Sequence, residues 1–195
     1  MISALSAIVV ALDLLVHGGK KMWIMDLVWP ITALWAGPFA AWAYFELGRA
    51  ERHDQPLPAL AGKAATHCGA GCTLGDIAAA LFAVGVPLSL GGYDIFGEWI
   101  YAYIAAFAIG IAFQYFTMPS RGWVAAVKAD TLSLTAWQVG MYGWMAIARF
   151  AILGHRFDKR APLFWVLMQA AMLCGFLTAW PVNAWLLRRG LKEAM

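Results

Sequence analysis

The sequence predicts an all-α protein, a polytopic membrane helix bundle of about six transmembrane helices forming one domain over 1–195. Three observations carry this. Of 195 residues, 63 % are hydrophobic and 13 % charged, with a mean hydropathy of +0.68, whereas soluble domains keep roughly a quarter of their residues charged. The apolar residues fall in runs of a length suited to a hydrocarbon core, which takes about 20 helical residues to cross. Short stretches of Gly, Pro and charge divide these runs, and none is long enough to bury a core of its own.

The first segment, about 2–17, is apolar apart from Ser3, Ser6 and Asp13 and is just long enough to span without tilt. Gly18-Gly19-Lys20-Lys21 breaks it. The second, about 23–47, contains Pro30 and Pro38, which remove backbone donors and should bend it. From Gly48 to Ala65 the composition turns polar, marking the longest water-exposed loop. The third helix is expected over about 67–90 with Thr66 as its N-cap. Gly91-Gly92-Tyr93-Asp94 is a turn, and the fourth helix covers about 96–116. The fifth, about 123–153, is too long to stand upright and should tilt or begin in the interface. The sixth, about 162–187, ends at Arg188-Arg189.

Six crossings put Arg49, Arg52, Lys63, Arg121, Arg188, Arg189 and Lys192 on one side and Lys20, Lys21, Arg156, Lys159 and Arg160 on the other. The bias favours cytoplasmic termini. Met1 to Val16 lacks the basic start and small-residue cleavage site of a signal peptide. Basic residues lying between apolar runs act as topological determinants, so nucleic acid is not expected as a partner. The partners expected are the lipid bilayer and a metal ion, and a homo-oligomer is compatible with the chain.

The most informative stretch is Thr66-His67-Cys68-Gly69-Ala70-Gly71-Cys72-Thr73-Leu74-Gly75-Asp76, which holds two of three cysteines. On a helix Cys68, Cys72 and Asp76 follow at i, i+4 and i+8 along one stripe. Such groups are costly against lipid and should face into the bundle. Thiols four apart leave an ion open to ligands from other helices, and soft sulfur prefers copper(I) or zinc over magnesium. If the helix starts near His67, Cys68 also feels the positive end of the helix dipole, which suits a thiolate ligand. The expected metal set is therefore His67, Cys68, Cys72 and Asp76, although His67 sits about 100° round the helix from Cys68. A thiol-redox enzyme using Cys68 and Cys72 is the alternative. Helical Cβ atoms four apart stand about 5–6 Å from each other, too far for a disulfide without local unwinding. The plainest alternative is that both cysteines are small packing residues of an assembly or accessory subunit.

Counting residues from helix ends places Gln114, Met118, Lys128, Asp130, Thr131 and Asn183 in the same layer as the cysteines. Along the fifth helix Lys128, Thr131, Thr135, Gln138, Tyr142, Met145 and Arg149 are spaced three and four apart, one continuous face. That face either lines a hydrated path or holds helices together through hydrogen bonds. Met141 with Met145 and Met168 with Met172 lie one turn apart, a spacing more typical of bundle core. No nucleotide loop, nucleophile elbow or two-histidine zincin spacing is present. The four histidines fall at expected helix ends or in loops, so neither haem nor a nucleotide is expected.

Three stretches carry a resemblance: His67 to Asp76; Phe113-Gln114-Tyr115-Phe116 followed by the string from Lys128 to Met145; and Gly175-Phe176-Leu177-Thr178 with Pro181-Val182-Asn183. From about Trp29 onward the chain resembles a bacterial and archaeal membrane family known as domain of unknown function 4396. The resemblance implies a small multi-helix protein of the inner membrane and implies no activity. The favoured expectation is an integral membrane protein that binds or translocates a soft metal ion, copper first, at Cys68, Cys72 and Asp76.

Overall fold

The computed structural model describes residues 2–17, 23–49, 55–117, 122–154 and 161–193. Among them are six α-helices: α1 (Ile2–His17), α2 (Trp23–Ala43), α3 (Leu57–Gly85), α4 (Asp94–Thr117), α5 (Gly122–Ala146) and α6 (Pro162–Arg188). Two π-helical turns, Tyr44–Gly48 and Ile147–Leu153, extend α2 and α5. The all-α membrane bundle expected from composition is what forms. By length and composition alone, four helical stretches among the described residues could cross a membrane: Trp23–Gly48, Leu57–Gly85, Asp94–Thr117 and Pro162–Arg188, but the first of them is folded at Gly37.

Helices α3 to α6 run up, down, up and down, each packed on the next, with α6 closing back onto α3. The pairing follows from small residues. Gly71 of α3 faces the Gly110 backbone of α4 so closely that a Cβ there would stand 3.3 Å from the Gly110 Cα, a tight contact. Trp137 of α5 is fully buried, its indole filling the notches left by Gly69 and Gly175. Thr178 Oγ1 donates to the Ala136 carbonyl at 2.7 Å, tying α6 to α5. One face of this bundle, called the near face here, holds the start of α3 and α5 and the end of α4 and α6.

The third helix begins at Leu57, ten residues before the expected start. Pro56 takes an extended conformation at its N-cap, and Pro58 suits the first turn, where a missing N–H costs nothing. Thr66 is therefore not a cap; its hydroxyl donates to the Lys63 carbonyl within the helix at 2.7 Å. The helix ends at Gly85 rather than Leu90 because Val86 precedes Pro87 and is driven out of helical geometry. Half of the expected loop from Gly48 to Ala65, residues 57–65, is helix, with Ala61, Ala64 and Ala65 fully buried. Cys68 consequently lies about 16 Å along α3 instead of in its first turn, and the expected dipole assistance does not apply.

The second segment folds back on itself. Gly37 has φ 56° and ψ −133° inside α2, and Trp29 packs against Tyr44 with ring centroids 5.7 Å apart. In a straight helix those two residues would be about 22 Å apart. The arms 23–36 and 38–48 span roughly 21 and 16 Å, each short of a hydrocarbon core of about 30 Å. Sequence reasoning assigned the bend to Pro30 and Pro38, but a left-handed φ is the property of glycine, and Pro38 merely opens the second arm. The tip sits midway along the bundle: Trp35 meets Trp137 at 5.5 Å and Phe176 at 6.3 Å. Trp23 meets Phe116 toward the near face.

Helix α1 runs parallel to the second arm, with Ser3 beside Gly37 and Asp13 accepting from the Tyr44 hydroxyl at 2.8 Å. Arg49 Nε and His17 Nδ1 flank the same carboxylate at 3.4 and 3.2 Å. Six full crossings would put the end of the first segment on the side opposite Arg49; the fold-back brings Asp13, His17 and Arg49 together.

Candidate functional site

Cys68 is fully buried, and its Sγ faces the α5–α6 side of the bundle. The thiol lies 2.7 Å from Ser133 Oγ and 3.7 Å from Asp130 Oδ1, both on α5. Asn183 of α6 donates through Nδ2 to Ser133 Oγ at 2.7 Å and to its own Ala179 carbonyl at 2.9 Å. The Asn183 Oδ1 accepts from Lys192 Nζ at 2.9 Å, and that ammonium also stands 3.5 Å from Ser133 Oγ and 3.6 Å from Cys68 Sγ. Cys68, Asp130, Ser133 and Asn183 have no exposed surface and Lys192 is 3 % exposed. Five polar side chains from α3, α5, α6 and the chain after α6 thus meet in one buried cluster in the near half of the bundle. Asp130 Oδ2 accepts from no protein group and lies against Gly110.

A second polar centre occupies the far half. Two turns beyond Cys68, Asp76 lines a cavity of about 320 Å³ together with Glu98, Tyr142 and the thioethers of Met141, Met145 and Met168. Asp76 Oδ2 is buried with no protein partner. Between the two centres stand fully buried Cys72 on α3 and Gln138, 2 % exposed, on α5. Neither amide atom of Gln138 is hydrogen-bonded to protein. Buried polar groups in proteins are ordinarily paired, so these atoms mark the positions where a ligand or solvent would be most strongly held.

Residues 59–192 match the family described as a domain of unknown function, DUF4396. The chain belongs to this family. No curated protein and no solved structure matches it. The DUF4396 match covers α3 to α6 and reaches Lys192, so every member of both polar centres lies within it, while α1 and the α2 hairpin lie outside.

Within the DUF4396 unit the residues expected from sequence divide by direction. Cys68, Asp130 and Asn183 converge as described. Cys72 and Asp76 continue the same stripe of α3, because the helix is unbroken from Leu57 to Gly85. His67 turns away from them: its ring packs edge-on against Phe113 at 5.7 Å, and neither nitrogen is bonded to protein. Gln114 is buried and donates to Thr117 Oγ1 at 3.0 Å, outside the Cys68 cluster. Lys128 is exposed, and Thr131 caps back onto the Val127 carbonyl at 2.6 Å. Met118 lies outside the described residues. Cys174 is half-buried and its thiol is free. Among the described residues no three His, Cys, Asp or Glu side chains gather closely enough to hold a metal ion by themselves.

The polar face expected on α5 is partly an interhelical seam. Tyr103 OH meets Thr135 Oγ1 at 3.2 Å, and Tyr142 OH donates to the Trp99 carbonyl at 3.0 Å while its ring stacks on Trp99. The buried face is shifted by a residue or two, running through Asp130, Ser133, Leu134, Trp137, Gln138, Met141 and Met145.

Sequence reasoning missed three contributors. Ser133 was not singled out, Lys192 was counted only among the charges that set topology, and Met168 was read as core. A signal for Lys192 existed: Gly190 follows Arg188-Arg189, the pattern of a glycine that turns a chain back at a helix C-terminus.

Proposed function

We propose that this DUF4396 protein binds a soft monovalent cation, copper(I) first, and passes it along the axis of the α3–α6 bundle. The observation that carries this reading is the line of sulfur and carboxylate donors on a single path. Asp76 shares its cavity with three thioethers, Cys72 follows one turn nearer, and Cys68 follows next with Asp130 at 3.7 Å. Thioether and thiolate sulfur select copper(I) over magnesium or calcium. Donors arranged in ones and twos along a path suit passage, because each stop must bind well enough to admit the ion and weakly enough to release it. In this reading Cys68 and Cys72 are ligands, Asp76 and Asp130 balance charge, Gln138 bridges the two centres, and Thr131 and Thr135 stay at the margin of the route. His67 contributes only by rotating from Phe113.

We place the protein in the inner (plasma) membrane with the near face cytoplasmic. Lys63, Arg49, Arg188 and Arg189 gather there, in keeping with the positive-inside rule.

The deciding measurement is copper content after anaerobic purification, compared with Cys68→Ser/Cys72→Ser. Stoichiometric copper in the wild type that is lost in the double variant supports the reading; equal, negligible content in both removes it. A thiol-redox enzyme is the second reading, favoured by the approach of Lys192 Nζ to Cys68 Sγ at 3.6 Å. Against it stands the regular helix through both cysteines, which holds their Cβ atoms about 5–6 Å apart, beyond the 3.8 Å or so of a disulfide. Thiol trapping that tracks the redox poise would favour that reading. An accessory subunit follows if neither assay responds and the double variant still folds.

A further inference from the structure

A lysine just past a membrane helix ordinarily extends its ammonium outward to headgroups and water. Lys192 does the opposite. Arg188 and Arg189 are exposed, yet Lys192, a few residues on, is 3 % exposed and points back into the bundle. The reversal is built by Gly190, whose φ of 65° is open to glycine at little cost. The Gly190 N–H donates to the Leu187 carbonyl and the Leu191 N–H to the Leu186 carbonyl, each at 3.0 Å. These are the paired bonds that close a helix on a left-handed glycine.

What receives the ammonium is a cage of acceptors: Asn183 Oδ1 at 2.9 Å, Ser133 Oγ at 3.5 Å and Cys68 Sγ at 3.6 Å. Asp130 Oδ1 accepts from the same thiol at 3.7 Å. The thiol is the donor a soft monovalent ion would take there, with the carboxylate close enough to balance its charge. Burying a cation in a bundle is costly unless such partners surround it. An ion and an ammonium cannot share one cage, since like charges in contact repel most strongly where water is excluded.

We propose that Lys192 is a tethered plug: its ammonium stands at the cation position beside Cys68, so that insertion of the tail and entry of the ion exclude one another. This deepens the cation reading above and rests on it. Withdrawal requires movement only of the few residues after Arg188, beyond the end of α6, so the plug can open without unfolding the bundle. It would hold the near half of the path shut until an arriving cation competes for the cage.

The experiment uses the full chain in detergent micelles, with silver(I) as a redox-inert stand-in for copper(I), and compares the wild type with Cys68→Ser and with Lys192→Leu, which removes the charge without adding a sulfur donor. A cage blocked about nine-tenths of the time binds about tenfold more weakly than a free one. Lys192→Leu should therefore bind silver about tenfold tighter, and in a Cys72→Ala/Cys174→Ala background its Cys68 should react with N-ethylmaleimide about tenfold faster. Lys192→Gln serves as the second uncharged variant should the leucine variant fail to fold. If Cys68→Ser weakens silver binding while Lys192→Leu changes neither affinity nor labelling rate, the plug is overturned and the cation site stands. If silver binding is indifferent to Cys68→Ser, the site falls and the plug with it.

Discussion

Asp130 Oδ1 stands 3.7 Å from the Cys68 thiol across the diagonal of the bundle, joining α3 to α5 through two of the costliest side chains the chain buries. The carboxylate is held there partly by a surface with no side chain. A methyl group at Gly110 of α4 would collide with Asp130 Oδ2 and come within 2.8 Å of Leu134 Cδ1.

Gly110→Ala should therefore displace Asp130 while leaving the helices formed. Changes behind a ligand typically cost about 10–100-fold in metal affinity, so silver(I) titration should show a loss in that range with an unaltered far-ultraviolet circular dichroism spectrum. Wild-type affinity in a folded Gly110→Ala protein would mean that Asp130 takes no part in binding.

Asn183 supplies the shortest contact to the Lys192 ammonium, 2.9 Å, and also donates to Ser133. Asn183→Ala should destabilise the protein by about 1.5–3 kcal/mol, the range for hydrogen bonds to charged groups. Adding Lys192→Met should recover part of that loss, because residues sharing one network are not additive. Thermal unfolding in detergent across this double-mutant cycle reads the coupling; strict additivity would show that the two side chains act independently.

The cavity thioethers separate a packing role from a chemical one. Met141→Leu/Met145→Leu/Met168→Leu nearly conserves volume, and such swaps usually cost under about 1.5 kcal/mol each. It removes every thioether from the cavity beside Asp76. Silver flux into proteoliposomes should fall by about tenfold or more as the soft donors disappear, with the melting temperature little changed. Undiminished flux would return these methionines to the core.

The α2 hairpin depends on one backbone conformation. At Gly37 the φ of 56° is combined with Ser3 Oγ at 3.2 Å from where a Cβ would sit. Gly37→Ala should destabilise by about 1–3 kcal/mol. Gly143, in the last turn of α5 before its π-helical extension and with open space around it, is the control: Gly143→Ala should be neutral or gain up to about 1 kcal/mol of helix propensity. Chemical denaturation of both variants tests the difference, and equal effects would remove the special role assigned to Gly37.

Much of the architecture was legible in the chain. Apolar runs located all six helices, and α4, α5 and α6 with their extensions end within about two residues of expectation. The stripe of Cys68, Cys72 and Asp76 and the layer holding Asp130 and Asn183 were legible too, since helical spacing and depth follow from residue counting. Where polarity was taken as a sign of loop, it misled. The stretch before Thr66 contains Lys63 and two prolines, yet its alanines pack at the bundle interface and extend α3 by ten residues.

Direction was the harder quantity. A helical periodicity shows which residues share a face but not which neighbour the face meets, and so Lys128, predicted inside, is exposed while Ser133, passed over, is central. His67 differs from Cys68 by one position, and that one step sends it to Phe113.

The sequence by itself determined that this is an α-helical membrane protein with sulfur and carboxylate groups along one helix, because hydropathy and helical period are local properties of the chain. Tertiary structure alone decided that 23–48 is a hairpin, that Asp13 meets Arg49, and that Lys192 returns to Cys68. Each of these depends on a single glycine or turn setting the path of many residues, and on groups distant in the chain meeting across packed helices. Such pairings carry no periodicity, so they become visible only when the helices are packed.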